Sequence, residues 1–175
     1  MLSKHEGKYY VHSDGRVTQD WTGIASDEFV KVFKAKDCVY AICGNADSVL
    51  MLHEVFNKGS KPTQVLRTMS SPEFYPFLKS CSVLVGTAHH GCYSISINPK
   101  GFLSDALDVS IIPWPDNSLP QVKGSGFLNV KTLLAAKDKV TPTLVKKSIK
   151  DSYKVNHTIG GSIFEASIAI NKDSK

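Results

Sequence analysis

The order in which two hydrophobic periods alternate along this 175-residue chain constrains its fold more than any single motif. Apolar residues at every second position mark strands, and apolar residues recurring at three and four positions mark helix faces. The run 8–13 is β-patterned, entered through Glu6-Gly7 and closed by the turn chemistry of Ser13-Asp14-Gly15-Arg16. Residues 29–33 and 39–43 give two further strands, and the link 34–37 is short enough for a hairpin. At Gly44-Asn45 the period changes. Val49, Leu52, Val55 and Phe56 share one helical face, Asn45 or Asp47 supplies an N-cap, and Gly59 and Pro62 lie beyond the end, which predicts a helix over 46–58. A weaker helical pattern over 63–79 is broken by Pro72 and Pro76.

The second half repeats this order. Residues 81–85, 92–97 and 102–106 read as a β-meander with a tight turn at 98–101, and the segment 111–120, with Pro113, Pro115 and Pro120, reads as an irregular surface loop. After Gly124-Ser125-Gly126, the residues Phe127, Val130, Leu133 and Leu134 recur at helical spacing. Thr141-Pro142 then caps another helix with a stripe of Val145, Ile149 and Tyr153. Gly160-Gly161 breaks the chain before a last strand over 162–170 and a polar tail from 171. No repeat or linker divides residues 1–175, so a single domain is expected. Strands, helix pair, strands, helix pair, strand predicts an α+β fold, a four-layer αββα sandwich of two antiparallel sheets with helices outside.

Composition narrows the function classes. With 42% hydrophobic and 21% charged residues the chain is that of an ordinary globular domain, able to bury roughly 70% of its unfolded surface without a staple. No apolar run approaches the ~20 residues of a membrane-spanning helix, and the first residues show no export-signal pattern, so a cytoplasmic location with no membrane partner is expected. Lys and Arg exceed Asp and Glu by 21 to 16, for a charge of +5. The densest basic stretch, Lys146, Lys147, Lys150 and Lys154, has helical spacing and reads as a solvated face, with a nucleic-acid-binding adaptor as the alternative. Cys38, Cys43, Cys81 and Cys92 form no C-x-x-C pair and sit in apolar runs, as reduced core thiols do. No motif calls for a metal or a cofactor. His89-His90 before Gly91 reads as a hairpin turn with exposed imidazoles. Trp114, in the proline-rich loop, and Trp21 are candidate anchors of a protein interface, with burial in the core as the other reading.

Four short motifs stand in order on these elements: Ser13-Asp14-Gly15, Lys31-Val32, Ala41 to Asp47 running into a helix, and Lys123-Gly124-Ser125-Gly126 before another helix. Over residues 4–170 the chain resembles the proteasome β-subunit and HslV peptidase family. The resemblance implies the N-terminal-nucleophile hydrolase fold, in agreement with the element order. It also implies a mechanism in which the amine of an N-terminal threonine helps its own hydroxyl attack a peptide carbonyl. Asp14 and Lys31 would tune that amine, Ser125 would help hold it, and Gly44 would lie near the oxyanion-binding backbone. A homo-oligomer and a protein partner follow from the same resemblance. Because short stand-alone copies occur in phage genomes, it allows a bacterial or phage origin.

The sequence departs from the family in two places. No threonine or cysteine precedes Asp14, and aligning the turn at Glu6-Gly7 puts the nucleophile's place before Met1, with Ser3 as the one substitute. Near the C-terminus, where the family often carries an acid and a serine before a glycine pair, this chain has Asn156 and Ile159 before Gly160-Gly161. Each retained residue also has a simpler reading: Asp14 as an Asx-turn residue, Lys31 as an outward strand lysine, Ser125 as an N-cap. The expectation is a catalytically silent proteasome- and HslV-like protein that binds or inhibits another protein. The alternatives are an active threonine- or serine-type peptidase subunit and a basic nucleic-acid adaptor.

Overall fold

Glu6 and Gly7 both adopt positive φ, 47° and 71°, the two-residue turn whose twist matches that of the strands it joins. Around it β1 (Leu2–His5) and β2 (Lys8–Asp14) form a hairpin with Leu2 opposite Val11. These coordinates come from a computed structural model, which describes residues 1–19, 23–100, 107–118, 120–124, 127–135, 139–156 and 158–171. A short hairpin, β3 (Val17–Gln19) and β4 (Gly23–Ser26), follows. The remaining strands are β5 (Val32–Lys34), β6 (Cys38–Gly44), β7 (Cys81–Thr87), β8 (Cys92–Pro99), β9 (Leu107–Trp114) and β10 (Ile163–Ala169). They build a three-stranded sheet, β1-β2-β10, and a five-stranded sheet, β5-β6-β7-β8-β9, both antiparallel throughout.

Strand alternation explains how the sheets stack. Tyr9 and Val11 of β2 meet Val39 and Ala41 of β6 and Leu84 of β7 between the sheets. Gly86 lets them approach, because a Cβ there would collide with Tyr9. The opposite face of the five-stranded sheet, with Tyr40, Val83 and Ile95, is covered by Leu52 and Phe56 of α1 (Val49–Lys58) and by Val65 and Met69 of α2 (Pro62–Met69). On the far side, Val130 and Leu134 of α3 (Phe127–Ala135) and Val145 and Ile149 of α4 (Pro142–Ser152) cluster with Met1 and Ile159. The result is the four-layer αββα sandwich. Among the described residues no helix is long and apolar enough to cross a membrane.

Local differences have local causes. The strand expected over 29–33 is confined to Val32–Lys34. Asn45 does cap, but it caps the single helical turn Ala46–Ser48 that leads into α1, its Oδ1 accepting from Asp47 N at 2.8 Å. The proline-rich segment expected as a loop from 111 is instead strand β9 as far as Trp114, with Pro113 opposite Tyr93. β9 is the last strand of its sheet, and edge strands tolerate a proline because there is no second ladder to break. Trp114 is therefore not an exposed loop residue: it is half-buried, packs against the inter-sheet cluster and donates through Nε1 to Ser94 Oγ at 3.0 Å. The strand expected over 102–106 and the other interface candidate, Trp21, lie outside the described residues.

Candidate functional site

Asp14 ends β2 and Lys31 stands immediately before β5, so the two sheets bring together residues seventeen positions apart. Lys31 Nζ donates to Asp14 Oδ1 at 3.3 Å and to the Arg16 carbonyl. The other carboxylate oxygen accepts from Gly160 N at 3.0 Å and Arg16 N at 3.3 Å. Asp14 is thus both a turn-capping acid, as its simpler reading holds, and the partner of a lysine. Lys31 is not an outward strand lysine, because its ammonium is turned inward. Only 20% of the lysine and 15% of the aspartate side chain is exposed, so the pair is shielded from solvent.

The pair faces a cavity of about 930 Å³, whose wall also includes Met1, His12, Cys43, Gly44 and Lys123. The Met1 amino group is buried and donates to His12 O at 2.6 Å. Burial outweighs the nearby Cys43 and Asp14 and lowers its pKa from 8.0 to about 6, leaving the amine largely uncharged at neutral pH. Gly44 closes the wall with φ 113°, and a Cβ there would crowd Cys81. The resemblance thus locates Asp14, Lys31 and Gly44 on one cavity, while Ser125 lies outside the described residues.

Two wall residues were not singled out from sequence. Cys43 reads there as one more core thiol. Cys38, Cys81 and Cys92 are indeed buried, but Cys43 is half-buried and borders the cavity. Gly124, with φ 109°, leaves its sulfur room, since a Cβ there would stand 3.1 Å from Sγ. Burial pushes the Cys43 thiol up, against the pull of the Met1 amine, Lys31 and Lys123. His12 reads only as part of a strand. Its fully buried ring donates or accepts through Nε2 with Glu165 Oε2 at 2.7 Å, and Glu165 also holds Lys146 Nζ at 3.0 Å. Burial drives the imidazole well below its ordinary pKa, so the neutral ring keeps its proton on Nε2, against the carboxylate. Among the described residues His12 Nδ1 has no hydrogen-bond partner.

Other candidates fall elsewhere. Ser3 does not join Asp14 and Lys31: it lies in β1 opposite Tyr10, is 2% exposed, and borders a separate cavity of about 540 Å³ near Glu6 and Asp116. Pairing in the β1–β2 hairpin holds it there. Ile159 is buried in the apolar cluster under α3 and α4. Asn156 Oδ1 accepts from Thr158 N at 3.0 Å and from Thr158 Oγ1 at 2.6 Å, so its amide braces its own turn. The glycine pair has two distinct reasons to be glycine. Gly161 has φ 74° and lies against the Asp27 carbonyl, whereas Gly160 lies beneath the Arg16 guanidinium, where a side chain would collide. Arg16 in turn grips Asp27, Nε to Oδ1 at 2.6 Å. His89 and His90 are exposed at the β7–β8 turn, as expected. Among the described residues no group of three metal-ligating side chains occurs.

No family model matches the chain, and no curated protein matches it in sequence. Solved structures do match in shape. Eukaryotic HslV from Trypanosoma brucei aligns with TM-score 0.62 and 15% identity over 96% of this chain and 97% of its own. BPH from Thiobacillus denitrificans aligns with TM-score 0.62 and 13% identity, over 98% of each chain on its own and 97% of each in complex with epoxomicin. At such identities the likeness is one of fold, and it covers nearly the whole of both chains. The αββα sandwich of this protein is the fold of HslV, with the Asp14–Lys31 pair at its cavity.

Proposed function

We propose that this protein is a proteasome- and HslV-like binding module that holds a segment of another protein in the cavity beside Asp14 and Lys31 and does not cleave it. The observation that carries this reading is the fate of the positions where the resemblance calls for an acid and a serine. Asn156 is tied to Thr158 and Ile159 is buried in an apolar cluster, so neither offers a polar group to the cavity. The frame is intact around them, because Asp14 fastens Gly160 N, Arg16 N and Lys31 together. A frame kept without those polar groups supports binding over hydrolysis.

One observation favours the second reading, an active peptidase: a buried amine of pKa about 6 beside an aspartate–lysine pair suits a general base. The test uses epoxomicin, the ligand in one Thiobacillus BPH structure. Intact mass after incubation is expected to show no covalent adduct, and hydrolysis of unstructured polypeptide is expected to be no faster than with the Lys31→Ala variant. Stoichiometric labelling, or turnover that disappears in Lys31→Ala, would establish the peptidase instead. Retention of polypeptide on the immobilised protein, weakened when Gly124→Leu adds a side chain to the cavity wall beside Cys43, completes the test.

A further inference from the structure

The geometry points to the outer edge of β9 as a self-pairing interface, at which two copies of this chain join their five-stranded sheets by antiparallel strand pairing about Ser110. In a strand the N–H and C=O of one residue point to the same side, and successive residues alternate. Three observations agree on which residues of β9 point outward. Thr87 N donates to Gly91 O at 2.9 Å, so odd-numbered residues along β8 turn to β7 and even-numbered ones to β9. With Ser96 opposite Ser110, the even-numbered residues of β9 are then spent on β8. Tyr75 Oη accepts from Leu107 N and donates to Leu107 O at 2.8 Å, which requires both groups to point away from β8. Pro113, which has no N–H to offer a ladder, has the same parity. Leu107, Val109, Ile111 and Pro113 therefore form the outer edge.

Val109 and Ile111 keep both an N–H and a C=O on that edge, and among the described residues no partner meets them. β9 runs eight residues without a register shift against β8, and Asp108 is its one charge, so it lacks the lysines and bulges that blunt sheet edges. Capped Leu107 and donorless Pro113 close the two ends and leave a window at Val109 and Ile111. A second β9 fits this window better than an unlike strand. With Ser110 opposite Ser110 of the second copy, Val109 of each copy exchanges both bonds with Ile111 of the other. In the same register Leu107, whose groups are held by Tyr75, falls opposite Pro113, which has no N–H to leave unmet. An unlike strand would set N–H groups of its own against both blocked positions. The two Asp108 carboxylates stand at opposite ends of the window, so like charges do not meet, and the half-buried Val109 and Ile111 side chains of the two copies lie across the seam from one another. The contact is isologous, so it closes at two copies. No residue of β9 lines the 930 Å³ cavity, and the inference stands apart from the function proposed above.

The experiment follows the native full-length chain by analytical ultracentrifugation over a concentration series, with Ser110→Lys and Ser110→Glu alongside. Ser110 is exposed and its backbone is engaged with β8, so a single copy accommodates either side chain. The expected result is a dimer of the native chain and a monomer of each variant alone at low salt, because like charges meet on the two-fold axis. Mixing the two variants in equal amounts should restore the dimer, which also shows that both are folded. Amide hydrogen exchange reads the register. Val109 and Ile111 should exchange about tenfold or more slowly in concentrated than in dilute native protein and stay fast in Ser110→Lys, while Ser110 and Ile112 in the native chain are slow throughout. A native monomer at the highest soluble concentration would overturn the proposal. So would an assembly whose copy number neither variant halves, or variants that remain monomeric when mixed. Retention of an unlike extended polypeptide by the monomeric chain, lost in Val109→Pro, would assign the edge to a foreign strand and overturn self-pairing.

Discussion

At the scale of the residue, Asp14 is where folding and site chemistry meet. Its carboxylate satisfies two backbone N–H groups from opposite ends of the chain and a lysine ammonium that is mostly out of water. Asp14→Ala would strand Lys31 with the Arg16 carbonyl, and breaking a shielded pair from one side costs about 3 kcal/mol. Urea denaturation should show that loss, and Asp14→Asn, which keeps an acceptor for Gly160, should show less. His12 makes the second residue-scale prediction. The groups facing it are Glu165 from β10, Lys146 from α4, the Met1 amine and the stacked Tyr10 ring. Burial lowers its folded pKa below the ordinary 6.5, so between the two values the unfolded chain binds more protons. The stability that neutral His12 contributes is fully present above pH 6.5 and is lost as pH falls below it. Unfolding free energy measured from pH 7.5 to 4.5 should decline, and His12→Gln should flatten the decline above pH 5. A slope unchanged in that variant would assign the acid sensitivity to carboxylates instead.

At the scale of the element, legibility followed the range of the interactions that fix each piece. α4 was readable because its signals are local: Thr141 Oγ1 accepts from Leu144 N at 3.2 Å, Pro142 opens the first turn, and Val145 and Ile149 are buried. Thr141→Ala should therefore cost about 1 kcal/mol in thermal or chemical melts, the ordinary worth of an N-cap. β9 is hidden in the sequence because proline content is a local statistic, while its strand state is imposed by pairing with β8 along its whole length. The same division runs through the site. Asp14, Lys31 and Gly44 were legible through ordered short motifs, but Cys43 and His12 look like any strand residue until the sheets stack. The glycine pair lies between: its presence announces a turn, yet the reason for it is the distant Asp27 and Arg16 that pack on it. Gly161→Ala adds a left-handed alanine to a collision with the Asp27 carbonyl, and should destabilise by more than about 2 kcal/mol, well beyond the cap variant. A loss below that of Thr141→Ala would mean that the Asp27 loop yields.

At the scale of the whole molecule, the described residues form three apolar clusters separated by two sheets, and the question is whether they melt as one. The sheets are shared walls. β6 sends Tyr40 and Ile42 to the helix-covered core and Val39 and Ala41 to the inter-sheet core, so neither can loosen without unloading the other. The β1–β2 hairpin likewise gives Leu2 to the inter-sheet cluster and Met1 to the cluster beneath α3 and α4. Coupling through common strands predicts a single cooperative transition. Phe56→Ala, under α1, and Ile149→Ala, in α4, each remove a buried side chain from an outermost layer and should cost about 3 to 4 kcal/mol. They belong to different clusters, so the losses should add to within about 0.5 kcal/mol in the double variant at unchanged denaturant slope. Tryptophan fluorescence, to which Trp114 near the inter-sheet core contributes, should then follow the same curve as far-UV circular dichroism in every variant. If Ile149→Ala instead produced an early step in dichroism that fluorescence missed, the α3–α4 layer would be a separately opening unit. The cavity wall it shares through Val130 and Ile149 would then open with it, and the Cys43 thiol would become more reactive at the same denaturant concentration.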